Sequence, residues 1–86
     1  MTMNINILRA LIEAGAIKRI SIIGEGSFFR IEAATPTGVN TVNTLKGKLK
    51  TWTNLDAAVK WLHNLGIGNC ELNISRWQPE QKGMKL

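Results

Sequence analysis

The sequence predicts an α+β domain: an N-terminal helix, an antiparallel meander of three to four strands, a second helix and a final strand, with the helices on one face of the sheet. Residues 5–12 and 55–62 have apolar side chains at helical spacing. The segments between and after them alternate apolar and polar residues, as half-buried strands do. Glycine or proline stands at most of the junctions.

The bulk composition is that of one globular domain. The chain has 86 residues, of which 44% are hydrophobic and 20% charged. We assign residues 1–76 to a single α+β domain and residues 77–86 to a basic, flexible tail, because the tail has no periodic pattern. No apolar run approaches the roughly 20 residues that cross a bilayer, and residues 1–6 lack the features of a signal peptide. A cytoplasmic location without a membrane partner is therefore expected.

The first helix is predicted from the stretch "NINILRALIEAG". Its start has two candidate N-caps, Asn4 and Asn6, and Gly15 is a natural C-cap. A two-residue period follows in "IKRISII", and Gly24 and Gly26 favour a tight reversal. The next strand, "FFRIEAA", directs its odd-numbered apolar residues to one face and the side chain of Arg30 to the other.

The second half is predicted to continue the meander and then form the second helix. "VNTVNTL" suits a partly solvated third strand, and "KLKTW" is either a fourth short strand or a continuation of the third across a bulge at Gly47. Thr53 and Asp56 resemble a capping box, and Gly66 ends the helix with Ile67 folding back onto its last turn. In the final strand, Cys70 is expected to be a small core residue.

Positive charge is concentrated in the second half. The net charge is +5; residues 1–43 carry four basic and three acidic side chains, and residues 44–86 carry seven basic and three acidic. In a strand, Lys46, Lys48 and Lys50 would share one face at spacings of about 6.6–7 Å, close to the repeat of phosphates along a nucleic-acid strand. Trp52 on the same face could stack an unpaired base. Lysines on an edge strand also suppress aggregation, so the row has a second explanation.

Chemistry other than binding finds no support in the sequence. Cys70 and His63 are the only residues of their types, and the carboxylates are scattered. We therefore expect no catalytic residues, no metal site, no cofactor and no enzymatic activity. Trp61 is interpreted as a core residue, whereas Trp77, beside Arg76, could anchor the tail or lie in an interface with a partner.

The stretch "GKLKTWTNLDAAVKWLHNLGIGNCELNISRWQP", with the opening "LIEAGAIKRI", resembles the small partition-associated accessory proteins of bacterial plasmids and genomic islands, the ParC-like group. The shared features are a basic strand, an aromatic residue, a capped helix ending in "LGI" and a closing strand. The resemblance covers about the last half of the chain and implies a non-enzymatic cytoplasmic protein of plasmid or mobile-element maintenance. It implies no ligand.

A looser resemblance is to domains in which a three-stranded sheet backed by one helix lies in a DNA groove. In that comparison Arg30, Lys48, Lys50 and Trp52 would make the contacts, provided that their strands are neighbours.

Two hypotheses of function follow from the sequence. The first is an accessory protein that binds nucleic acid, namely DNA in double- or single-stranded form, through Arg30, Lys46, Lys48 and Lys50 with Trp52 stacking. The alternative is a protein-interaction module that forms a homodimer or docks onto a partition or maintenance protein through an exposed strand edge or through Arg76 and Trp77.

Overall fold

A computed structural model of the chain describes residues 2–78. These residues form one five-stranded sheet with two helices, which confirms the predicted α+β class and the predicted order of helix, meander, helix and final strand; the two-residue strand before the first helix was not predicted. The predicted tail begins one residue too early, because Trp77 belongs to the last strand, and residues 79–86 of the tail lie outside the described residues. The elements are β1 (Thr2–Met3), α1 (Ile5–Glu13), β2 (Arg19–Gly26), β3 (Phe28–Thr35), β4 (Gly38–Val42), α2 (Leu55–Asn64) and β5 (Glu71–Trp77).

The sheet has the strand order β1-β4-β3-β2-β5. The three central strands form the predicted antiparallel meander. At the two edges, β1 pairs in parallel with β4 and β5 pairs in parallel with β2. Consecutive strands that run parallel within one sheet require a crossover connection; α1 supplies the crossover from β1 to β2, and α2 supplies the one from β4 to β5.

The placement of both helices on one face follows from this topology. β1 and β4 point the same way, and both crossovers run across the sheet in the same direction. Connections between parallel strands are almost always right-handed, so two crossovers that match in direction put their helices on the same side. One buried cluster accordingly combines Leu8 of α1 and Leu62 of α2 with the inner face of the sheet.

The inner face of the sheet is formed by alternate residues of the central strands. Ile20 pairs with Ala33, and Ile22 pairs with Ile31, and all four are almost completely buried. Phe29 continues the same row opposite Gly24. The alternation predicted for "FFRIEAA" is therefore confirmed, and Arg30 lies on the face that no helix covers.

The ends of both helices are fixed by local hydrogen bonds. Asn4 is the N-cap of α1, since its Oδ1 accepts the backbone N–H of Ile7 at 3.0 Å. The C-terminus of α2 has the predicted form: Gly66 has a φ of +92°, and the N–H of Ile67 donates to the carbonyl of Leu62 at 3.1 Å. Within residues 2–78, neither helix is long and apolar enough to cross a membrane.

The predicted N-cap of α2 is wrong by one residue. Asn54, not Thr53, caps the helix, because Asn54 has extended backbone angles and its Oδ1 accepts the N–H of Ala57 at 2.8 Å. Asp56 lies in the first turn, where its charge favours the positive end of the helix, and forms an exposed ion pair with Lys60 at 3.1 Å. The predicted capping box therefore named the acidic residue of the first turn, Asp56, correctly, but it named the wrong N-cap residue.

We expect Asn54→Ala to lower the free energy of unfolding by about 1 kcal/mol, because the N–H of Ala57 loses its acceptor. Thr53→Ala should change it by less than about 0.5 kcal/mol. Urea denaturation of the two variants beside the parent protein measures both values. Equal costs for the two substitutions would contradict the assignment of Asn54 as the cap.

Candidate nucleic-acid interface

The segment from Thr44 to Lys50, which we call the lysine loop, is a tight turn and not a strand. The N–H of Thr44 donates to the carbonyl of Lys48 at 2.6 Å, and Thr44 Oγ1 accepts the N–H of Lys48 at 3.1 Å. Gly47 has a φ of +87°, a conformation that favours glycine. The prediction of a regular strand over "KLKTW" is therefore wrong, and Lys46 and Lys48 lie on a closed turn.

Asn43 holds the base of the lysine loop. Its Nδ2 donates to the carbonyl of Gly47 at 2.9 Å, and its backbone forms an isolated antiparallel bridge with Leu49. The lysine loop thus begins and ends beside the last residue of β4, Val42, whose carbonyl accepts the N–H of Lys50 at 3.2 Å. These bonds give the projecting lysines a defined base.

The lysine loop contains three lysines and no acidic residue. The sequence has no carboxylate between Glu32 and Asp56, and the residues 45–49 are exposed. Among residues 2–78, the salt bridges involve Arg19, Arg30, Lys60 and Arg76, and none involves a lysine of the loop. Lys46 and Lys48 are therefore exposed and form no salt bridge with any described residue.

Lys50 differs from the other two lysines because it packs on aromatic rings. Its Nζ lies 5.1 Å from the ring centroid of Trp52 and 5.6 Å from that of Trp61. The two indole rings contact each other at a centroid distance of 5.2 Å. Such cation–π contacts hold an ammonium group in place while its charge remains positive. Lys50 thus presents its charge from a fixed position at the base of the loop.

Trp52 lies on the helix-covered side of the sheet. Its backbone exchanges two hydrogen bonds with Phe29, at 2.8 and 2.9 Å, and cross-strand partners direct their side chains to the same face. Phe29 faces the core, so the indole of Trp52 packs against the core and against Trp61, which confirms the core role expected for Trp61. The expected open position of Trp52 beside a row of lysines is not found, because the lysine loop replaces that row.

Arg30 lies on the opposite face of the sheet from Trp52 and from Lys50, which packs on Trp52. Its side chain lies on the uncovered face, where Nε donates to Glu25 at 3.0 Å and Nη1 to Glu32 at 2.6 Å. Partial burial lowers the pKa of Arg30, but the hydrogen bonds and charges of Glu32 and Glu25 outweigh it, and the pKa is raised above its ordinary value. Two carboxylates thus offset the positive charge of Arg30. Arg30 was one of the residues expected to contact a nucleic acid.

The two residues expected to bind a partner have different environments. The side chain of Arg76 is 81% exposed and lies 4.0 Å from Glu25. Trp77 is the last residue of β5 and packs on Phe29, with ring centroids 5.2 Å apart. Trp77 therefore anchors β5 to the core, and Arg76 is the more accessible of the pair.

The expectation that Cys70 is a core residue is wrong. Cys70 is exposed, because it precedes β5 at the edge of the sheet, where no helix covers the chain. His63 is exposed in the last turn of α2. No group of three potential metal-ligating side chains occurs among residues 2–78.

Exposed apolar residues are the feature that the sequence interpretation missed. Leu72 and Ile74 of β5 are 48% and 49% exposed, and Leu45 and Leu49 of the lysine loop are 66% and 42% exposed. A signal was present, since two helices of nine and ten residues are only about 14–15 Å long and cannot cover five strands. A strand at the edge of the sheet, such as the last strand of the chain, would therefore remain uncovered by the helices.

An apolar cleft of about 370 Å³ lies between α1 and the turn that joins β3 to β4. Its lining includes Met3, Ile7, Leu11, Pro36 and the buried Asn40. The cleft lies at the opposite edge of the sheet from β5 and offers mainly apolar surface.

No protein-family model, curated protein or solved structure matches the chain. The resemblance to the ParC-like group therefore remains a prediction from the sequence. A functional proposal for this chain depends on the geometry of its own residues.

Proposed function

We propose that the protein is a non-enzymatic binding module that holds the phosphate backbone of a nucleic acid on the lysine loop. Lys46 and Lys48 make the contacts from the turn, and Lys50 adds a third charge from its position over Trp52 and Trp61. The observation that carries the proposal is the exposure of Lys46 and Lys48, beside the partly buried Lys50, within a stretch of sequence that contains no carboxylate. A role in plasmid or mobile-element maintenance is the setting that the sequence resemblance implies.

This proposal differs from the expectation based on the sequence in two residues. Arg30 is omitted because Glu25 and Glu32 bind its guanidinium on the other face of the sheet. Trp52 becomes a support for Lys50 and is no longer a platform for a base, because its ring packs against Trp61. The contacts that remain are to phosphates, which position a nucleic acid without reading its sequence.

Binding through three lysines predicts a definite salt dependence. Each neutralised phosphate releases counterions, so log K against log salt concentration should have a slope of about −2.7 on duplex DNA. We expect fluorescence anisotropy with labelled single- and double-stranded oligonucleotides to show binding at 50 mM salt that weakens steeply at 200 mM. The variant K46Q/K48Q should weaken binding and make the slope shallower by about 2.

The matched control for that variant is R9Q/K18Q, which also removes two positive charges, from exposed residues outside the lysine loop. We expect this control to retain the parent slope, because neither residue contacts phosphate in the proposed mode. Absence of binding at 50 mM salt would overturn the proposal. An equal change of slope in both double variants would also overturn it, since net charge and not the loop would then control binding.

A further inference from the structure

β5 is an edge strand with an unpaired outer side. Among residues 2–78, β2 is its only partner in the sheet. Every residue of β5 is exposed except Trp77, which is partly buried. An edge strand presents a row of backbone N–H and C=O groups that can pair with another strand.

The middle of β5 lacks the charged and proline residues that often protect edge strands, although its pairing with β2 has an irregularity opposite residues 74–75. Leu72 and Ile74 are about half exposed, and no lysine, proline or inward-pointing charge interrupts the segment 72–75. Leu72 pairs with the buried Ile22, so its side chain points to the helix-covered face beyond the region that the helices reach. β5 thus exposes two apolar side chains on an edge that no other described strand covers, although the N–H of Ser75 already donates to Oδ1 of Asn73 at 3.0 Å.

The charged residues of β5 stand at its two ends and share one face. Glu71 pairs with Ser21 and Arg76 with Glu25, and Ser21 and Glu25 are on the same face of β2. In a regular strand, Arg76 would point to the opposite face from Glu71. The irregularity in the β2–β5 pairing between Ile23 and Glu25 shifts the alternation by one residue, so Arg76 lies on the same face as Glu71. The strand therefore carries a negative charge at its beginning and a positive charge at its end.

We propose that β5 pairs antiparallel with β5 of a second copy of this chain, with Asn73 opposite its own counterpart. In this register Leu72 faces Ile74 of the second copy, and Glu71 faces Ser75 beside Arg76 of the second copy. Apolar residues then meet on one face of the joined sheet and opposite charges meet on the other. The proposal does not depend on the nucleic-acid function and involves none of the lysine loop.

A second copy fits this edge better than an unrelated strand would, because the residues of β5 are complementary to those of a second, antiparallel β5. Reversing the strand exchanges its acidic end with its basic end and superimposes Leu72 on Ile74. In a two-fold symmetric interface each such contact occurs two times, so the free energy that one pair contributes to dimerisation is doubled. Registers displaced by one residue would place apolar residues opposite polar ones, on the wrong face.

The test is the mass of the full chain in solution, by light scattering and sedimentation, with a reductant present because Cys70 is exposed. We expect a concentration-dependent dimer for the parent protein. Leu72→Lys and Ile74→Lys should be monomeric, since both positions are half exposed and tolerate a lysine in the monomer. A parent protein that remains monomeric at millimolar concentration would overturn the proposal.

Charge reversal distinguishes a second copy from any other partner of the edge. E71R and R76E alone should each weaken the dimer about tenfold, because like charges then face each other twice. The double variant E71R/R76E restores opposite charges and should recover most of the parent affinity. Glu71 and Arg76 are 66% and 81% exposed, and exposed ion pairs with Arg19 and Glu25 contribute little to the fold.

K60E, which reverses an exposed charge on α2, is the matched control and should dimerise as the parent does. Circular dichroism of every variant checks that the monomer is folded. A double variant that stays as weak as the single variants would contradict the proposed antiparallel register.

Discussion

Phe29→Ala is expected to lower the free energy of unfolding by about 3–5 kcal/mol, the usual cost of removing a buried aromatic side chain. Phe29 is only 1% exposed and contacts the ring of Trp77 at a centroid distance of 5.2 Å. Its backbone also holds Trp52 through two hydrogen bonds, which the substitution leaves in place. Loss of the ring opens a cavity between β3 and the end of β5. Urea denaturation followed by far-ultraviolet circular dichroism measures the change.

Phe28→Ala is the matched control, because Phe28 is the neighbouring residue on the opposite, uncovered face and is only partly buried. We expect it to cost less than half as much, since partly exposed side chains lose less apolar burial. Folded domains commonly have a total stability of about 5–15 kcal/mol, so Phe29→Ala should remove a large part of it. Similar costs for the two substitutions would show that the ring of Phe29 does not pack as described.

Gly24→Ala is expected to destabilise the protein by about 1–3 kcal/mol through overpacking. A Cβ at this position would lie 2.8 Å from Trp77 Cβ and 3.2 Å from Phe29 Cε1. The Cβ of Trp77 is attached directly to the backbone, so β5 would have to move away from β2 to relieve the contact. The loss should appear in urea denaturation, and faster amide hydrogen exchange in β5 should accompany it.

Gly68→Ala is the control for this substitution. Gly68 has no atom within 4 Å of its Cβ position and no positive φ, so the added methyl group meets open space. The change should be neutral or stabilise by up to about 1 kcal/mol, because alanine reduces the entropy of the unfolded chain. If Gly24→Ala were equally harmless, the close approach of β5 to β2 at Trp77 would be wrong.

The meander and both helices could be predicted from the sequence because their signals are local. Alternation in "FFRIEAA", the glycines at residues 24 and 26, and the helical spacing before Gly66 each act within a few residues. The parallel pairings of β1 with β4 and of β5 with β2 join segments that are far apart in the chain. The two residues of β1 do not specify that β4 will be the neighbouring strand. The stretch "NCELNIS", which includes most of β5, does not specify β2 either.

The candidate site was predictable in part. Its lysines and its position between β4 and α2 were apparent, but the alternation of Lys46, Lys48 and Lys50 imitates a strand. The turn is imposed by hydrogen bonds of Thr44 and by the left-handed conformation of Gly47. The separation of Arg30 from Trp52 depends on a cross-strand pairing with Phe29, which periodicity alone does not reveal.

The exposed Cys70 makes the edge of the sheet accessible to site-specific spectroscopy. It is the only thiol of the chain and immediately precedes β5, so one reagent can attach a single probe there without mutagenesis. In the antiparallel register centred on Asn73, the two labelled positions would be six residues apart along the joined strands, or about 20 Å. A pair of nitroxides at that separation would report strand register directly, at protein concentrations where both copies are in contact.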